Sequence, residues 1–136
     1  MGAFRKNLFG KHVSLSGDAS TLAVGTTSID GIDEVQTFLL KNETWIKFGE
    51  NILGLKPCLS SDGNVLTVNS EISNRIYVQG KDEWLQFGPE LPNANSSIGE
   101  VKISANGDRI ATSFTNHNTS MVRIYQGLNN EGRELT

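Results

Sequence analysis

Two histidines, one cysteine and two tryptophans are the side chains of this 136-residue chain most open to chemistry. His117 stands between Asn116 and Asn118, where an imidazole could shuttle a proton or hold a metal. Its neighbours support neither use. No Cys, His or carboxylate recurs at a metal-ligand spacing, and nothing pairs a nucleophile with a base. The expectation is an exposed loop histidine, with no catalytic residue, no metal and no cofactor. His12 falls in a different context, close to an apolar strand. Cys58 lies beside Leu59 and reads as a small buried hydrophobe. A single cysteine rules out an internal disulfide framework and a cysteine zinc cage. Trp45 and Trp84 could stack on a sugar ring, but they hold the same place in a repeat, which favours packing between repeats.

The repeat is what must position these residues. Val13-Ser14-Leu15-Ser16-Gly17-Asp18-Ala19-Ser20-Thr21-Leu22-Ala23-Val24 aligns without gaps on a segment from Pro57 to Val68 and on another from Val101 to Thr112. Ser16, Ser60 and Ser104 are equivalent and lie 44 residues apart each time. An aromatic follows in each copy (Phe38, Tyr77 and Tyr125), and then Trp45 and Trp84 in the first two. The third copy has Arg133-Glu134-Leu135 at that offset and lacks the tryptophan.

Each unit reads as four short strands, A to D. Val13 and Leu15 lie on A, Leu22 and Val24 on B, Phe38 on C, and Trp45 and Phe48 on D. Asp62-Gly63 and Asn106-Gly107 are turn pairs that accept positive φ between A and B. Asp18-Ala19 is the poorest of the three, because alanine reaches that conformation only under strain. The B strands are apolar or small on both faces, as in Leu22-Ala23-Val24-Gly25, so they are expected to be covered on both sides. Four-stranded units at this period predict an all-β fold of three β-propeller blades, at about 12–49, 57–88 and 100–136, after an N-terminal edge segment 1–11. The competing arrangement is a single β-sandwich.

Phe9-Gly10, Leu22-Ala23-Val24-Gly25-Thr26 and the Ser-x-Asp/Asn-Gly turns resemble the Ser-Leu-Ser-Gly-Asp-Gly propeller repeats. These are loose relatives of the FG-GAP repeats of integrin α-chain propellers. The resemblance covers nearly the whole chain and implies a blade rather than an activity. Calcium-loaded FG-GAP loops alternate several carboxylates, because the ion takes six or more oxygens. Here each A–B turn supplies one carboxylate, so no calcium is expected.

Three blades leave two apolar blade faces open, and known rings run from about four to eight blades. The simplest closure is a homodimer of two such arcs, giving six blades; the rival is a fragment of a longer propeller. The stretch Gly2–Leu8 could complete a sheet edge on the partner, in place of a poor D strand in the third unit. Strand parity puts the B–C and D–A loops on one face of the disc, and these vary in length. That face would carry Asp30, Asp33, Asn74, Asn93, Asn95, Asn116 and His117, a polar surface suited to a protein or glycan ligand.

The net charge of −3 argues against a nucleic-acid or membrane-surface partner, and no apolar run reaches the ~20 residues of a membrane span. No signal-peptide core follows Met1, and the compartment stays open. Asn42, Asn95 and Asn118 head glycosylation sequons, which matter only on a secretory route. The reading is a non-catalytic propeller module for binding or scaffolding. A lectin-like oligomer and a propeller hydrolase with a channel site are the alternatives.

Overall fold

The computed structural model describes residues 8–70, 73–92, 97–115, 118–126 and 133–135. They form three antiparallel sheets in chain order and no helix. The first sheet holds β1 (Leu8–Leu15), β2 (Thr21–Thr27), β3 (Asp33–Lys41), β4 (Thr44–Lys47) and β5 (Ile52–Leu53). The second holds β6 (Lys56–Leu59), β7 (Val65–Asn69), β8 (Ser73–Gln79), β9 (Trp84–Gln86) and β10 (Leu91–Pro92). The third holds β11 (Ser97–Ile103), β12 (Arg109–Thr115), β13 (Ser120–Gln126) and β14 (Arg133–Leu135). The first four strands of each sheet pair in succession, while β5 and β10 return to pair with β3 and β8, and each unit is one propeller blade.

The A–B hairpins are tied by one repeated knot. Ser16 Oγ donates to Asp18 Oδ1 at 2.7 Å and accepts the Thr21 amide at 3.0 Å. Ser60 does the same with Asp62 and Val65, and Ser104 with Asn106 and Arg109. The turn residues Ala19, Gly63 and Gly107 take φ of 59°, 76° and 74°. Glycine is needed at 63 for a second reason: a Cβ there would lie 2.4 Å from Thr21 Oγ1 of the first blade. The turns also bond one blade to the next, Asp18 N to Ser61 O at 3.0 Å and Ser61 N to Ala105 O at 2.9 Å.

The D strand differs from its sequence reading. It is broken into two short pieces, β4 and β5, which both pair with β3. Gly49 at the break takes φ of 67°, which lets Phe48 turn inward while its amide still reaches Thr37 O at 2.8 Å. The second blade repeats the break after Phe87, with Gly88 at 71°. The third blade carries its own D strand: Leu135, Glu134 and Arg133 pair with Ile124, Tyr125 and Gln126. At the other end of the chain, Leu8 opens β1 opposite Thr27. Residues 1–7 lie outside the described residues.

Two cores lie between the blades. Ala23, Val35 and Phe48 of the first pack on Leu59, Leu66, Val68, Tyr77 and Trp84 of the second. Val65, Ile76 and Leu91 of the second pack on Ile110 and Tyr125 of the third. Burial on both faces makes β7 continuously apolar or uncharged and wholly buried, as its composition requires.

Candidate functional site

The turn carboxylates are spent on structure. Asp18 and Asp62 are both held below the usual aspartate range. For Asp18 the main cause is the hydrogen bond from the Ser16 hydroxyl. For Asp62 it is the Asn64 amide, at 3.0 Å.

The B–C and D–A connections use their polar groups in the same way. Asp30 is exposed at the tip of the first B–C turn, which is closed by Ser28 Oγ accepting the Ile32 amide at 3.1 Å. Asp33 is half-buried and accepts the Thr27 hydroxyl at 2.7 Å, pinning the hairpin. Asn74 is buried at 3 % exposure, opposite Asn69 in the second blade, and is not displayed on the loop face. Asn93, Asn95, Asn116 and His117 lie outside the described residues.

The two tryptophans part company. Trp84 is 8 % exposed, donates Nε1–H to Thr37 Oγ1 at 2.8 Å, and meets Phe48 edge-on with ring centroids 5.9 Å apart. It presents no open ring to a sugar. Trp45 keeps the same place in the first blade but is 40 % exposed, on the sheet face that has no blade before it.

The structure gathers a different set of groups where β1, β6 and β11 stand side by side. A cavity of about 270 Å³ opens there, lined by His12, Val13, Ser14, Lys56, Pro57, Cys58, Glu100, Val101 and Lys102. His12, Lys56 and Glu100 come from three blades and stand 44 residues apart, so the repeat puts them at one level. Ser14, Cys58 and Lys102 form the next level in the same register but one turned to the neighbouring blade, where Ser14 Oγ accepts the Leu59 amide at 2.9 Å. His12 and Glu100 lie within β1 and β11, and Lys56 opens β6. The 44-residue spacing that aligned the serines would have found this level, had it been carried four residues upstream to His12, Lys56 and Glu100.

Charge at the cavity is lopsided. Lys102 Nζ lies 3.3 Å from Glu100 Oε2, with both side chains about three-quarters exposed, so water screens the pair heavily. The other ion pair among the described residues joins Arg75 to Glu90, which leaves Lys56 without a carboxylate partner there. Cys58 is half-buried rather than fully enclosed. Burial pushes its thiol up, against the opposing effect of the Ile103 amide, so the sulfur stays protonated and a poor nucleophile at neutral pH. Among the described residues no three His, Cys, Asp or Glu side chains gather to hold a metal.

Comparison with known proteins gives the fold its setting. No protein-family model and no curated protein matches the chain. Among solved structures it is similar to a candidate 6-phosphogluconolactonase of Bacteroides uniformis, at TM-score 0.64 and 11 % identity over 98 % of this chain. TolB of Acinetobacter baumannii is similar at TM-score 0.54 and 20 % identity over 91 %. Sqt1 of Saccharomyces cerevisiae is similar at TM-score 0.65 and 12 % identity over 95 %. TolB and Sqt1 are β-propellers, and at these identities the likeness is one of fold. The chain spans 42 %, 31 % and 34 % of those three structures' own lengths, the share expected of a partial propeller.

Proposed function

We propose that the three blades form half of a six-bladed ring, closed by a second copy, that serves as a non-catalytic binding scaffold. The observation that carries this is a difference in exposure at equivalent positions. Leu15 is 54 % exposed and its equivalent Leu59 is 7 %; Trp45 is 40 % exposed and Trp84 is 8 %. The residue types match, and only the presence of a preceding blade differs. At the other end, Val122 and Ile124 of the third blade are 64 % and 41 % exposed, where Val35 and Thr37 of the first are 0 % and 1 %. The first blade thus lacks a neighbour before it and the third lacks one after it. A second copy offers both surfaces at once, and two identical junctions satisfy the two-fold symmetry usual for dimers.

That junction is the weakest in the ring. Lys102 stands where Ser14 and Cys58 face the next blade, and an ammonium accepts no amide hydrogen bond. Ile124 replaces Thr37, so Trp45 would pack there without the bond that Trp84 makes. The test is the mass of the purified 136-residue chain by light scattering over a range of concentrations. A species of twice 14.8 kDa that dissociates on dilution is expected. A monomer that stays at 14.8 kDa at high concentration and melts cooperatively overturns the closure by a second copy.

The likeness to FG-GAP repeats belongs to the same proposal and rests on the sequence motifs. The lectin alternative is weakened by Trp84, whose ring is enclosed, and keeps only Trp45 as a stacking surface.

A further inference from the structure

We propose that the cavity between β1, β6 and β11 binds a small anion carrying a carboxylate or phosphate group. Four titratable groups besides Cys58 line it: His12, Lys56 and Lys102 as donors and Glu100 as the lone acid. Glu100 engages Lys102 at 3.3 Å, so the charge left over is positive and centred on Lys56. Lys56 and the half-buried His12 come from different blades at one level of the repeat, and neither has a side-chain partner among the described residues. Lys56 is exposed at the rim of the recess, so its attraction for an anion is partly screened by water and should weaken with added salt. At about 270 Å³ the cavity suits a small metabolite-sized ligand rather than a polymer. Strand positions, not loops, carry these side chains, so the backbone from which the donors extend is fixed.

The experiment is calorimetric titration of the full chain at low ionic strength with inorganic phosphate and, separately, with citrate. Saturable binding of either is expected; which one binds more tightly identifies the preferred head group. Lys56→Gln and Lys102→Gln should each weaken it about tenfold, the usual scale for a charged hydrogen bond. Lys81→Gln, in the exposed β8–β9 turn, should leave it unchanged. No saturable heat with either anion at millimolar concentration overturns the proposal. So does a loss equal in all three variants, which would report net charge alone. Mass and circular dichroism measured on the same samples separate a lost site from a lost assembly, so the scaffold reading and this one can fail independently.

Discussion

Asp62 binds its own turn before it can bind anything else. Its carboxylate accepts the Ser60 hydroxyl at 2.8 Å and the Asn64 amide at 3.0 Å, which holds its pKa down. A depressed folded value adds stability that is complete above the ordinary aspartate range near 4 and is lost as pH falls through the folded value. Thermal melts between pH 5 and pH 2 should therefore show Tm falling with acid. The fall should be shallower in Asp62→Asn, because Asn106 already makes the same bonds with an amide in the third blade. Glu43 is a second residue whose role is local. With Asn42 it forms the two-residue β3–β4 turn, at φ of 49° and 63°. Both signs suit an Asn-Gly pair, and a non-glycine residue there costs about 1–2 kcal/mol. Glu43→Gly should raise stability by about 1 kcal/mol in urea unfolding, with no change in mass.

Between elements, Thr37 is the joint. Its hydroxyl donates to Phe48 O at 2.7 Å and accepts Trp84 Nε1–H at 2.8 Å, linking the inward-turned D-strand break of one blade to the D strand of the next. Thr37→Val leaves both partners buried and unmatched, a loss of about 1–3 kcal/mol. Trp84→Phe alone removes the donor along with part of the ring. The double variant should cost less than the two single losses added together, a non-additivity that denaturant melts of all four proteins would measure. Additive losses would show that the contact carries no coupling. Ser73 Oγ and Thr112 Oγ1 are buried without a hydrogen-bond partner among the described residues, and buried groups of this kind are commonly met by ordered water.

For the whole molecule, equivalent positions should respond oppositely to the same change. Leu59→Glu buries a carboxylate in the core between the first two blades and should unfold the chain. Leu15→Glu, on the outer face of the first blade, should keep the circular dichroism spectrum and melt of the arc while holding the protein at monomer mass. If Leu15→Glu leaves a dimer intact, the interface lies elsewhere and the ring proposal fails.

Much of the architecture was legible from residues 44 apart. Ser-x-Asp/Asn turns followed by two-sided apolar strands can be satisfied only by stacked hairpins, because β7 and its equivalents need cover on both faces. The break in strand D was hidden, since Phe48-Gly49 reads as strand ending in a turn until Gly49 is seen at positive φ with the chain resuming its pairing at Ile52. The division of labour between Trp45 and Trp84 was hidden for a stronger reason. Local sequence makes them equals, and burial is decided by a neighbouring sheet that only one of them has. The repeat by itself determined the blades and the level at which His12, Lys56 and Glu100 stand. Only the tertiary structure decided that this level borders a cavity and that Trp84 is enclosed while Trp45 is not, because both follow from how separate sheets stack, and stacking is set by contacts far apart in the chain.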